Sequence, residues 1–269
     1  MNAREYSTPA VEVIGFDTKD VIREVVLTGI ETASYGKDLR DCDLSDLLQR
    51  VDRIPRIGRV RLGSLDPSLI KDAFVEKIAP LGSLAPYFHL SMQSGSDAVL
   101  ARMKRKYNTK MAHEAMQRLR RAMPDVQFTT DIIVGFPGET EEDFNRTLEF
   151  AREAGFLMIH VFPYSKRKGT PAATMPDQVP DEIKHERVAV LSALQKEIRQ
   201  KILHEQIGRE VSVLLETFRN DTATGHTKSF IEVECPIPHP LRDPLVTVHI
   251  THADELRCYG EIVTSHHEI

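Results

Sequence analysis

TTDIIVGFPGETEEDF, residues 129–144, decides the fold. Its first half is a short apolar run ending in Gly135. Its second half opens on Thr140, Glu141, Glu142 and Asp143. Thr140 is placed to cap a helix, with Asp143 reaching back to close a capping box. The acids also suit the positive end of the helix dipole. Phe144, Leu148 and Ala151 then recur at i, i+4 and i+7, the stripe of a helix with one buried face. The segment therefore reads as strand, tight turn, helix.

The same unit repeats outward in both directions. Apolar runs lie at residues 24–30, 59–64, 87–94, 127–136 and 157–165, with amphipathic stretches between them. Such alternation predicts a parallel sheet with helices outside it. Five units are too few for an eight-fold barrel, so an open or partial α/β barrel is expected. The working face of such a fold is at the C-terminal ends of its strands. Those ends carry small, polar and charged residues. A last helix is expected from near Pro180 to about Ile207, with Gly208 as its left-handed cap.

Beyond Gly208 the period changes. Residues 210–218, 230–234, 245–250 and 257–263 alternate apolar and polar positions, with polar turns such as RNDTATG between them. Four short strands of this kind predict a small antiparallel barrel. The expected organisation is a poorly patterned segment 1–23, an α/β unit 24–208 and a β-barrel 209–265.

Composition narrows the function. The chain has 269 residues, 41% of them apolar, with a formal charge of −5. It is too apolar for a disordered chain. It lacks the run of about 18 apolar residues that spans a membrane. Its first fifteen residues lack the apolar core of a signal peptide, so a cytoplasmic location is expected. Cys42, Cys235 and Cys258 form no CxxC and no disulfide framework, and read as ordinary reduced residues. No GxSxG, HExxH, GxGxxG or GxxxxGK is present, and no metal ligand set is read. His89 reads as a core histidine.

Charge is unevenly spread. Residues 96–121 hold eight basic residues against two acidic ones, and Lys166, Arg167 and Lys168 follow the last α/β strand. This pattern suits either a solvated helix face and loop, or a mouth that receives a phosphate-bearing substrate such as RNA. Residues 209–269 are acidic overall, with five basic and ten acidic residues. The best local RNA candidate there is GHTKSF, residues 225–230.

Five segments in order carry a resemblance: 27–39 (LTGIETASYGKDL), 61–67 (RLGSLDP), 88–107 (FHLSMQSGSDAVLARMKRKY), 129–144, and 160–180 (HVFPYSKRKGTPAATMPDQVP). Together they resemble the radical S-adenosylmethionine (SAM) methylthiotransferase family, over residues 24–263. SYGKDL, HVFPYSKRKGTPAA and GHTKSF look most like the branch acting on N6-threonylcarbamoyladenosine beside the tRNA anticodon. The resemblance implies a partial radical-SAM barrel lacking its first strand, then a TRAM-type RNA-binding barrel. It implies SAM and [4Fe–4S] clusters as cofactors and tRNA as partner.

Carried onto this sequence, Gly29 would meet the methionyl end of SAM, and Gln93 and Ser94 its ribose. Arg102 or Arg105 would meet its carboxylate, and Asp131 and Gly135 its adenine side. Tyr164 and Ser165 close the set. Lys166, Arg167 and Lys168, with Arg219, His226 and Lys228 in the small barrel, would hold RNA. The family's CxxxCxxC, and its N-terminal domain with three further cysteines, have no counterpart here, and no cluster ligand is carried onto Cys42, Cys235 or Cys258. The chain is thus expected to act as a C-terminal part that does not methylthiolate alone and needs the missing N-terminal half. The alternative is a cluster-less tRNA-binding module. Entry at the second barrel strand would also leave an unpaired edge near Val25–Leu27.

Overall fold

A computed structural model describes residues 22–29, 32–39, 42–237 and 243–263. Most of segment 1–23, together with Ile30, Arg242 and the last residues of the expected second domain, lies outside these.

Five parallel strands form the first unit: β1 (Ile22–Leu27), β2 (Ile57–Leu62), β3 (Tyr87–Gln93), β4 (Gln127–Val134) and β5 (Met158–Pro163). β1 pairs with β2, and β3, β4 and β5 form a second ribbon. Bridges Val60–Leu84 and Leu65–Leu90 join the two ribbons. The helices are α1 (Leu44–Asp52), α2 (Asp72–Ile78), α3 (Asp97–Arg102), α4 (Thr109–Ala122), α5 (Glu141–Ala154) and α6 (Asp181–His204). The partial α/β barrel expected from the sequence is therefore present. Among the described residues β1 pairs on one side only, so its other edge is open.

Alternation along each strand sorts the side chains. Phe88, Leu90 and Met92 on β3, Phe128, Ile132 and Val134 on β4, and Ile159 on β5 are buried under the helices. The intervening residues point to the opposite, lumen side of the sheet.

Local signals were accurate at α5. Thr140 Oγ1 accepts from the Asp143 amide at 3.1 Å, and Asp143 Oδ2 accepts from the Thr140 amide at 3.1 Å. Gly155 ends the helix at φ +61°. α6 stops at His204, one turn before the expected end at Ile207. Gly208 does adopt φ +83°, but it starts the next unit: its amide donates to Ile250 O at 2.8 Å.

The second unit is a closed barrel ordered β10-β8-β7-β6-β9. Its strands are β6 (Glu210–Arg219), β7 (Thr222–Thr227), β8 (Glu232–Pro236), β9 (Leu245–Ala253) and β10 (Cys258–Ile262). Four strands were expected and five are found. The turn read at RNDTATG is only Asn220 and Asp221, both at positive φ, the geometry of a tight hairpin. Thr222 to Thr227 is strand. Its inward residues are Ala223, Gly225 and Thr227, too small and polar to announce it. Gly225 is required there, because a Cβ would lie 2.0 Å from Leu214 O.

The two barrels are docked. Buried Arg59 on β2 donates to His226 O at 2.9 Å and to Ser212 O at 3.0 Å. Lys228 donates to Gly82 O, and Arg199 on α6 donates to Leu256 O. Phe230, held at φ +69°, lies 4.6 Å from the Tyr87 ring and under the Arg61 guanidinium at 4.3 Å. The small barrel thus covers the N-terminal end of the lumen.

Candidate functional site

The lumen receives at least one titratable side chain from each of the five parallel strands. Glu24 on β1 pairs with Arg61 Nη2 on β2. His89 on β3 bridges two β4 residues, with Nδ1 2.9 Å from Thr129 Oγ1 and Nε2 3.3 Å from Asp131 Oδ2. Tyr87 Oη shares the same Thr129 hydroxyl at 2.9 Å. His160 on β5 is in register with Asp131, and its ring lies 6.2 Å from that of His89. Phe162, two residues on, is 51% exposed on the same face. His89 is therefore a lumen residue, not the core histidine expected. The strand period could have shown this, because His89 is out of phase with Phe88 and Leu90.

At and beyond the C-terminal strand ends the expected residues each have their own setting. Gln93 ends β3 at φ +68°, next to a register shift in the β3–β4 ladder. A glutamine in that conformation is strained, as residues at functional sites often are. Ser94 is fully buried, and its hydroxyl accepts from the Ser96 amide at 3.1 Å. Arg102 pairs with Asp143 at 3.0 Å and lies over Gly138 of the turn. Gly135, at φ +72°, donates its amide to Glu139, and a Cβ there would strike Lys184. Tyr164 packs edge-on against Phe136 at 5.4 Å, under Lys184. Tyr164 Oη and Arg102 Nε are buried without partners, polar atoms available to a ligand at these ends. Gly29 and Arg105 are exposed, as are Ser165, Lys166, Arg167 and Lys168.

Electrostatics hold the rim together. Burial raises the Asp143 carboxyl, but hydrogen bonds from Ser96, Thr140 and Arg102 overcome this and hold it at about 2. Glu139, 1% exposed, pairs with Arg187 at 2.6 Å, yet burial still pushes its carboxyl upward. This pair fastens α6 to the turn after β4.

In the small barrel Arg219 is exposed at the end of β6. His226 and Lys228 face the seam instead. His226 stacks on Phe230 at 4.5 Å, with Nδ1 2.8 Å from Glu216 Oε2. Burial, and next the nearby Arg59, lower the Lys228 ammonium.

The thiols do not fit an iron–sulfur cluster, which needs a convergent set of thiolates. Cys235 and Cys258 are in the core of the small barrel, and Cys42 precedes α1. Burial raises Cys235 and pushes Cys258 to about 12. Among the described residues no group of three or more His, Cys, Asp or Glu is placed to hold a metal ion.

Comparison with known proteins agrees with this architecture. The family model for the Radical SAM superfamily matches residues 10–151. The chain is 35% identical to the threonylcarbamoyladenosine tRNA methylthiotransferase MtaB of Chlamydia pneumoniae, over 98% of this chain and 63% of that protein. It is 38% identical to MtaB of Bacillus subtilis (strain 168), over 78% and 48%. It is 37% identical to the tRNA-2-methylthio-N(6)-dimethylallyladenosine synthase of Caldicellulosiruptor saccharolyticus, over 98% and 57%. The chain thus spans about half to three fifths of the length of these relatives. A parallel sheet with a polar lumen, joined to a closed β-barrel and matched by that model over more than half the chain, makes this protein a member of the radical SAM superfamily.

Proposed function

We propose that the chain is the part of a cytoplasmic tRNA methylthiotransferase that shields the substrate base and holds the RNA, with N6-threonylcarbamoyladenosine beside the anticodon as the base modified. The observation that carries this reading is the composite chamber. A radical-SAM sheet presents charged groups to a lumen whose N-terminal end is covered by the small barrel, in a chain similar to methylthiotransferases over nearly its whole length. SAM and its cluster supply the radical chemistry in this superfamily. Cys42, Cys235 and Cys258 do not converge, so other thiolates must hold that cluster. This chain's share is binding. The ends of β3, β4 and β5 face SAM, and Lys166, Arg167 and Lys168 neutralise RNA phosphates beside that mouth.

Disrupting the gene in its own cells should remove 2-methylthio-N6-threonylcarbamoyladenosine from digested tRNA. Loss of the prenylated methylthio nucleoside instead would overturn the substrate assignment. The dispersed thiols favour a second reading, a module that holds tRNA without modifying it. Under that reading disruption leaves both nucleosides unchanged, while the purified chain still retards tRNA in a gel, with affinity falling steeply as salt rises.

A further inference from the structure

His160 stands where a base substituent would be read. Ile159 is buried under the helices, so His160 and Phe162 share the lumen face of β5. Both are exposed. Neither nitrogen of His160 has a hydrogen-bond partner among the described residues, whereas both nitrogens of His89 are engaged. Asp131, in register with His160, uses one oxygen on His89 and remains about a third exposed. The wall therefore offers an acceptor, Asp131, beside a free donor, His160. Deeper in the lumen Arg61 adds a cation whose Nη2 is held by Glu24 and whose Nε is buried without a partner. Towards the mouth Phe162 offers an aromatic face.

These groups form a sequence along the lumen: aromatic at the mouth, acceptor and donor in the middle, cation near the floor. A purine stacked on Phe162 would direct its substituent inward. A substituent with N–H groups and a carboxylate would meet Asp131 and His160 in turn. An apolar chain would strip water from both and return no hydrogen bond, which is how polar sites reject analogues.

We propose that His160 is a specificity-determining residue of the lumen, selecting a polar, carboxylate-bearing base substituent over an apolar one together with Asp131, which this reading gives to the substrate rather than to the adenine side of SAM. This rests on the tRNA reading above and names the group that the chamber recognises.

The test uses the full chain and three anticodon stem-loops that differ only at the N6 position: unsubstituted, threonylcarbamoyl and isopentenyl. Fluorescence anisotropy should show the threonylcarbamoyl loop binding about tenfold more tightly than the isopentenyl loop, the size expected of one or two hydrogen bonds. His160→Phe should abolish or invert that preference and leave the unsubstituted loop unchanged. His160→Gln, which keeps a donor, should retain part of it. His160 is exposed, so both variants should melt like the parent. Equal binding of the two modified loops by the parent, or an undiminished preference in His160→Phe, overturns the inference while the RNA reading stands. Failure to bind any loop overturns the RNA reading, and the inference with it.

Discussion

Replacing Arg59 by methionine should release the small barrel from the lumen without unfolding either unit. The guanidinium makes three hydrogen bonds across the seam, to His226 O at 2.9 Å, to Ser212 O at 3.0 Å and to Ser212 Oγ at 3.3 Å. A hydrogen bond from a charged donor contributes about 1.5–3 kcal/mol. The two to main-chain carbonyls would give about 3–6 kcal/mol, the longer bond to the Ser212 hydroxyl adding little, but burying the cation offsets part of this. That burial cost is visible in the lowered pKa of Arg59, where desolvation outweighs the attraction of Glu24. Methionine fills much of the arginine stem, so the packing loss is small. The net loss should be about 2–3 kcal/mol, or roughly 30- to 150-fold in the docking equilibrium. Hydrogen exchange followed by mass spectrometry reads this directly. Peptides covering Gly82–Tyr87 and His226–Ile231 should exchange faster by that factor, while β4 keeps its protection. Unchanged exchange at the seam would refute the reasoning. So would uniform loss across the chain, which would make Arg59 a determinant of folding rather than docking.

Three further outcomes follow from the same structure. Asp143 has a folded pKa held at about 2, below its unfolded value, so its stabilisation is present above pH 4 and is lost as pH falls through 2. Asp143→Asn should cost about 2 kcal/mol in urea melts at pH 7 and flatten the stability curve between pH 4 and 2; an unflattened curve would show that other groups carry the acid sensitivity. Iodoacetamide at pH 8 should add one label to the native chain, at Cys42, and three after denaturation, because Cys235 and Cys258 are buried and their thiols raised; rapid native labelling of Cys258 would contradict the closed barrel. Gly225→Ala should destabilise the small barrel by about 3 kcal/mol or more, because its methyl would meet the Leu214 carbonyl; an unchanged melt would remove β7 from its place beside β6.

The parts of the fold that were legible share one property: each announces itself locally. Thr140 and Asp143 sit three residues apart before an apolar stripe, and the capping box follows from that spacing. Five β-rich runs between amphipathic stretches required parallel pairing, and no helix long and apolar enough to cross a membrane is present among the described residues. β7 was hidden because its stability comes from neighbours: Ala223, Gly225 and Thr227 have little apolar surface, and they form a strand because β6 and β8 flank them. The sequence pointed to the polar strand ends as a candidate site and gave no sign of the lumen wall. Glu24, Arg61, His89 and His160 are far apart in sequence, and only strand register brings them to one wall. The role of Phe230 depends on docking, which no local pattern encodes. His226 and Lys228 show the same limit, since their basic character suggested RNA while their positions put them against the seam.

The chemistry of that seam has a consequence for how the protein can change over evolutionary time. Arg59, Lys228 and Arg199 each end on main-chain carbonyls of the opposite unit: His226 and Ser212, Gly82, and Leu256. A carbonyl oxygen is present whatever side chain its residue bears. The positions that accept through the main chain alone, His226, Gly82 and Leu256 in this set of bonds, keep their acceptor whatever residue stands there so long as the backbone keeps its course, whereas the three donors depend on their side chains. A substitution scan of the seam should be lopsided, intolerant at the cations and permissive at Leu256 and Gly82, with Ser212 between them because its hydroxyl also accepts from Arg59 at 3.3 Å. Part of the hold on the second barrel thus lies in the path of the chain it meets, beside side-chain contacts such as Phe230 on Tyr87 and Arg209 on Asp125.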